Sequence, residues 1–213
     1  MNIIIFGPPG AGKGTQAQNI VNNFNLHQVS TGDLLRIEIK KKTEIGKKIE
    51  QIIAQGDLVS DDIVNELVKK VITNYNYRNR IIFDGYPRNI NQAESLEIML
   101  NGDNQSINFV LFLKVTQEII EKRILGRIIC EKCNKTMNKY FNKKEIDNHE
   151  CGKNYLKKRK EDDQETIIIR YEEYIKKTKP VLDFYSSRRY FHEIDGSEKI
   201  QAITGKIQQI LKV

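Results

Sequence analysis

The chain has 213 residues, 39% hydrophobic and 30% charged, which is the balance of an ordinary globule with length for one well-buried core and some insertions. No apolar run approaches the roughly 18 residues that span a bilayer, and the first residues lack a basic-then-apolar leader, so no membrane partner and a cytoplasmic location are expected. The formal charge of +7 is concentrated in residues 131–160, where ten Lys or Arg face four acids, and aromatics for base stacking are few there, so no nucleic-acid partner is expected.

Ile3-Ile4-Ile5-Phe6 is a short apolar run that ends in glycine, the pattern of a buried strand. Gly7-Pro-Pro-Gly-Ala-Gly-Lys-Gly-Thr15 follows. Its glycines let successive backbone N–H groups turn inward as an anion nest. Thr15 then opens an amphipathic stretch (Ala17, Ile20, Val21, Phe24), whose helix N-terminus adds partial positive charge at the same spot. Lys13 supplies a full charge for outer phosphates. The spacing Gly7-x4-Gly12-Lys13 fits a phosphate-binding loop, with Gly14 where a Ser or Thr usually holds Mg²⁺. The loop predicts a bound nucleoside triphosphate.

Further strand-like runs recur at His27–Ser30, Ile81–Asp84, Phe109–Val115 and Tyr190–Ile194, with helical patterns between them. Strands alternating with helices predict right-handed crossovers and a parallel sheet covered on both faces. Ser60, Thr116 and Ser197 are placed to start helices, and Asp162 with Glu165 resembles a capping box. Two segments stand outside the alternation. Thr31–Val59 reads as helical, with Gly46 and Gly56 as breaks; Ile128–Lys160 has poor periodicity and holds all three cysteines. Insertions at the carboxyl ends of parallel strands flank a ligand crevice, so both segments read as flaps over the site.

Ile81-Ile82-Phe83-Asp84 puts a carboxylate at a strand end, positioned to hold Mg²⁺ through water. Gly85 and Pro87 make a tight turn that projects Arg88 back toward the crevice, and arginine is the preferred bidentate phosphate ligand. Arg36, Arg123, Arg127, Arg159 and Arg170 also fall near element ends. Phosphoryl transfer needs charge stabilisation more than covalent chemistry, and the chain shows no evident catalytic base. That combination fits a phosphate acceptor, which is already nucleophilic, better than hydrolysis.

Phe6 to Thr15, Ser30-Thr-Gly-Asp-Leu-Leu-Arg36, Asp84-Gly-Tyr-Pro-Arg88 with Gln92, Gly126-Arg127 and Arg159-Lys-Glu-Asp162 together resemble the adenylate kinase family, in its order and spacing across nearly the whole chain. The long insertion resembles the family's long-lid bacterial form. The resemblance implies ATP + AMP ⇌ 2 ADP with Mg²⁺, catalysed by a monomer of α/β class. The implied architecture is a three-layer P-loop kinase fold with a five-stranded parallel sheet. Residues 1–29, 60–125 and 163–213 would form the core, 30–59 a helical flap for the monophosphate, and 126–162 the lid. Carried over, Gly10, Ala11, Gly12, Lys13, Gly14 and Thr15 would cradle the ATP phosphates, with Arg123 and Arg127 meeting ATP from where the lid starts and Glu198 beside its base. Arg36, Arg88, Arg159 and Arg170 would gather the AMP phosphate and the transferring group. Thr31 and Gln92 would read the AMP adenine, with Asp57, Leu58, Val59 and Gly85 lining its pocket. Glu161 stands where the family usually has the first Asp of Arg-x-Asp-Asp. Alternatives are a monophosphate kinase of different base specificity or, in a different class, a basic P-loop protein that binds RNA.

Cys130-x2-Cys133 is half of a zinc knuckle, and Cys151 is a third thiol in the same segment. The family resemblance puts a fourth zinc ligand at Asn154, a poor donor, whereas His149 would complete a Cys3His set. A structural zinc and a metal-free segment held by hydrogen bonds both stay open.

Overall fold

The computed structural model describes every residue except Gly56, Lys160 and Val213. In chain order come β1 (Asn2–Phe6), α1 (Lys13–Phe24), β2 (His27–Ser30), α2 (Thr31–Lys40), α3 (Glu44–Gln55), α4 (Asp61–Ile72) and β3 (Ile81–Asp84). Then follow α5 (Ile90–Gly102), β4 (Ile107–Lys114), α6 (Gln117–Leu125), β5 (Arg127–Cys130), β6 (Thr136–Asn138), α7 (Lys143–Asp147) and β7 (Leu156–Lys157). The chain continues through α8 (Gln164–Glu173), a π turn (Tyr174–Thr178), α9 (Lys179–Ser186), β8 (Phe191–Asp195) and α10 (Ile200–Leu211).

Five strands lie side by side in the order β2-β3-β1-β4-β8, every pairing parallel. Parallel neighbours need crossovers, and helices supply them on both faces. Successive residues of β1 serve the two layers in turn. Ile3 and Ile5 pack with Ile20, Leu111 and Ile207, while Ile4 and Phe6 pack with Val68, Val110 and Tyr185. Both faces of β1 and β3 are buried, which is why their sequences run apolar without alternation. The strand order reverses at β1, and the crevice of such a sheet lies beyond the carboxyl ends of the strands at that point. The expected α/β fold and five-stranded parallel sheet are both present.

Several local expectations are corrected. The first helix begins at Lys13 rather than Thr15. Ser197 does not cap the last helix: it bonds Asp195, and the helix starts after Lys199. Asp163, not Asp162, caps α8, accepting from the Thr166 N–H at 2.9 Å while Asp162 turns inward. Gly46 lies inside α3, where an added Cβ would stand 2.6 Å from the Glu38 carbonyl, so it permits helix contact rather than a break. The second proposed break, Gly56, lies outside the described residues.

Residues 127–157 form a second, antiparallel sheet in the order β6-β5-β7, with Ile128 opposite Met137 and Cys130 opposite Leu156. Its strands are two to four residues long, too short to reveal a period in the sequence. No helix among the described residues is long and apolar enough to cross a membrane.

Candidate active site

The loop between β1 and α1 folds around its own lysine. Gly12 takes φ 96°, in the left-handed region where a side chain is strained, and directs the chain into α1. The Lys13 Nζ donates to the carbonyls of Gly7 and Pro8 at 2.7 and 2.9 Å. Desolvation, joined by Arg88, Arg170 and Arg127, pulls the Lys13 pKa from 10.5 to about 8, against the opposing pull of Asp84. Arg123 Nη1 donates to the Ala11 carbonyl at 3.1 Å, which fixes α6 against the loop. Gly10, Ala11, Gly12, Lys13, Gly14 and Thr15 thus stand at the sheet's carboxyl edge around a helix N-terminus, a geometry suited to anions.

Asp84 ends β3 beside this loop. Gln28, on neighbouring β2, donates its Nε2 to Asp84 Oδ2 at 3.0 Å. A Cβ built on Gly14 would stand 3.3 Å from the same oxygen, so the carboxylate borders the space that a Ser or Thr would use. Burial raises the Asp84 pKa, while Lys13 and Gln28 pull it back. A half-engaged carboxylate fits a water-bridged magnesium site, since Mg²⁺ keeps much of its water shell.

The turn after Asp84 is held by its own polar atoms. The Gly85 carbonyl accepts from Thr31 Oγ1 and from Arg88 Nε, each at 2.8 Å. The Arg88 N–H donates to Gln92 Oε1 at 2.8 Å, and Gln92 Nε2 donates to Asp61 at 2.7 Å, which leaves one amide hydrogen of Gln92 without a partner among the described residues. A cavity opens here, lined by Gly7, Lys13, Arg36, Arg88, Arg170, Asp57, Leu58, Val59 and Gly85.

A second group of arginines surrounds Asp162, which is fully buried. Arg127 grips its carboxylate through two nitrogens, and Arg170 Nη1 lies 3.8 Å away. Arg36 pairs with Asp33 and reaches Glu161 at 3.6 Å. Arg159 Nε and Arg170 Nη1 are buried without a hydrogen-bond partner among the described residues. Burial and neighbouring arginines lower the pKa of Arg159 and of Arg170 to about 10. Crowded guanidinium groups with unspent donors are the signature of a site prepared for a polyanion.

Glu198 lies apart from this group, paired with Lys206 at 2.7 Å after the end of β8. Sequence reasoning overlooked Gln28, and it treated Asp162 as a helix cap rather than the anchor of two arginines. The available signal for Asp162 was its place within the Arg159-to-Asp162 run.

In the antiparallel sheet, Cys130, Cys133, His149 and Cys151 present ligand atoms that all lie within 4.8 Å of one another. Cys133 Sγ and His149 Nε2 are 3.5 Å apart. Zinc–sulfur bonds of about 2.3 Å give tetrahedral edges of roughly 3.8 Å, so a small contraction would close this set on an ion. Burial opposes ionisation of Cys130, but the N–H groups of Cys133 and Lys132 and the His149 ring bring its pKa below that of an ordinary thiol. Burial and the neighbouring sulfurs push Cys151 above it.

A phosphate cradle opening onto an arginine-lined cavity, with an acid at the intervening strand end, defines a P-loop phosphotransferase for two phosphate-bearing substrates. A model of the family described as adenylate kinase matches residues 5–190. Similar proteins named adenylate kinase include one from Pelagibacter ubique (strain HTCC1062), 59% identical over 213 residues and 100% of both chains. Another, from Erythrobacter litoralis, is 40% identical over 217 residues and 100% of both chains. A third, from Listeria monocytogenes serotype 4b, is 36% identical over 212 residues and 99% of both. The chain belongs to the adenylate kinase family and is a nucleoside monophosphate kinase.

Proposed function

We propose that ATP and AMP are the substrates of this chain, joined in a reversible, Mg²⁺-dependent phosphoryl transfer that yields two ADP. The observation that carries this reading is the cavity shared by Lys13, Arg36, Arg88 and Arg170 beside Asp84. The loop from Gly10 to Thr15 holds the ATP phosphates, with Arg123 and Arg127 toward the donor and Glu198 near its base. Arg36, Arg88, Arg159 and Arg170 hold the AMP phosphate and the group in flight. Thr31, Asp57, Leu58, Val59, Gly85 and Gln92 surround the AMP nucleoside.

An oxygen of the AMP phosphate forms a bond to the γ-phosphorus as the bond to the β–γ bridging oxygen breaks, and that oxygen leaves on ADP. No base is required, because the attacking oxygen is already ionised. Lys13 and the arginines meet the charge that spreads over the transferring group. Asp84 is the residue that would hold Mg²⁺, and the ion would supply further neutralisation of the phosphates.

Residues 30–59 act as a flap and 126–162 as a lid, each closing to keep water from the γ-phosphate. Cys130, Cys133, Cys151 and His149 hold a structural zinc in the lid, with His149 rather than Asn154 as the fourth ligand. The enzyme works as a cytoplasmic monomer, with no nucleic-acid or membrane partner.

A coupled assay over a panel of mono- and triphosphates tests the substrate assignment. Turnover with AMP and ATP well above that with UMP, CMP or GMP supports it; preference for another monophosphate, or RNA binding without AMP-dependent turnover, overturns it.

A further inference from the structure

The helical run from Gln164 to Ser186 is interrupted by the π turn at Tyr174–Thr178. Pro180 explains the interruption. Its ring has no N–H and would crowd the carbonyl four residues earlier in a regular helix, so the turn widens upstream. The widening changes which side chains share a face. In an uninterrupted α-helix, Thr178 would be turned about 80° from Arg170, eight residues before it. A π turn takes more residues to complete a revolution, and Arg170 and Thr178 both line the same cavity.

Thr178 is the N-cap residue of α9, where a threonine hydroxyl ordinarily accepts from its own helix. Here it makes no such bond. One of the N–H groups it would cap belongs to Pro180 and does not exist. The hydroxyl instead donates to the Arg88 carbonyl at 2.9 Å, across 90 residues of sequence. Arg88 is therefore gripped on both sides of its backbone, through its N–H by Gln92 and through its carbonyl by Thr178. Its guanidinium is aimed from a fixed base, and that base is tied to the helix carrying Arg170.

We propose that Thr178 is a positioning residue for phosphoryl transfer, its hydroxyl fixing Arg88 relative to Arg170 so that both meet the same phosphate. This rests on the reading of Arg88 as an AMP-phosphate ligand. Thr178→Val removes the hydroxyl and keeps the shape. It should lower kcat/KM for AMP roughly three- to tenfold, the scale of one hydrogen bond, and leave the KM for ATP unchanged. Thr178→Ser should restore the wild-type values. Unchanged AMP kinetics in Thr178→Val, a Thr178→Ser as impaired as Thr178→Val, or an equal rise in the KM for ATP would each overturn the assignment. Should Thr178→Val fail to fold, Thr178→Ala is measured by the same criteria. Arg88→Ala separates the two levels. If it leaves AMP turnover intact, the reading of Arg88 itself falls; if it is impaired while Thr178→Val is not, only Thr178 is misassigned.

Discussion

Gly14 and Asp84 stand so close that a Cβ on the glycine would lie 3.3 Å from the carboxylate Oδ2. Gly14 is an exposed residue in the first turn of α1 with no left-handed φ, so alanine fits its backbone. Gly14→Ala should hold or raise stability by up to about 1 kcal/mol, since alanine favours helix. Turnover should fall by roughly tenfold, because the carboxylate is pushed from its place. Thermal unfolding and steady-state kinetics read the two effects, and full activity in Gly14→Ala would show that Asp84 tolerates displacement.

The depressed pKa of Lys13 predicts proton uptake on nucleotide binding. Near pH 8.5, part of the Lys13 population is neutral in the free enzyme, given a pKa of about 8. Bound phosphates favour the charged amine and raise that pKa, so binding draws a fraction of a proton from the buffer. At about pH 6 the amine is charged with or without ligand, and its uptake vanishes. Calorimetry of ATP binding in buffers of different ionisation enthalpy measures the difference. Lys13→Met should abolish the uptake near pH 8.5 and lower turnover by about a hundredfold. Proton release by the wild type at that pH would contradict the assignment.

Asp162→Ala should destabilise the protein by about 3 kcal/mol, because it strands the buried Arg127 and removes the negative charge nearest Arg170. Hydrogen exchange should accelerate through residues 126–162, which enter and leave the core at this pair. A variant with wild-type unfolding and exchange would mean that solvent compensates the arginines.

The phosphate loop and the turn from Asp84 to Arg88 were legible in sequence because each is a local device, written in consecutive residues. The sheet was legible because buried strands are short apolar runs. What stayed hidden depends on meetings decided by tertiary packing. Arg127 finds Asp162 across 35 residues, Gln28 finds Asp84 across 56, and Thr178 finds Arg88 across 90. Local signals also misled where two reasonable residues competed. Asp162 and Asp163 both suit a helix start, and burial of the first left the second to cap. Gly46 looked like a break because sequence does not distinguish a glycine needed for contact from one needed for a turn.

The cysteine cluster makes a prediction about metal. Protein purified without chelator should contain one zinc per chain, lost in His149→Ala and kept in Asn154→Ala. Chelation should lower the unfolding temperature, since the small antiparallel sheet has little apolar core of its own. Metal analysis with thiol titration decides it: three freely titratable thiols and no zinc would leave the sheet standing on hydrogen bonds alone, and loss of zinc only in Asn154→Ala would move the fourth ligand.

The pairing of β5 with β7 brings Ile129 beside Lys157 and Cys130 beside Leu156, so the strands entering and leaving this segment run together as neighbours. A chain that departs and returns at one doorway is a graft on its host: the parallel sheet is complete without it. Closure entropy grows only slowly with loop length, so this doorway would admit a shorter or longer excursion at small thermodynamic expense. Splicing Arg127 to Asp162 through a brief flexible linker keeps the buried ion pair at the doorway and should then yield a folded, crippled kinase, its five-stranded sheet intact and its γ-phosphate open to water.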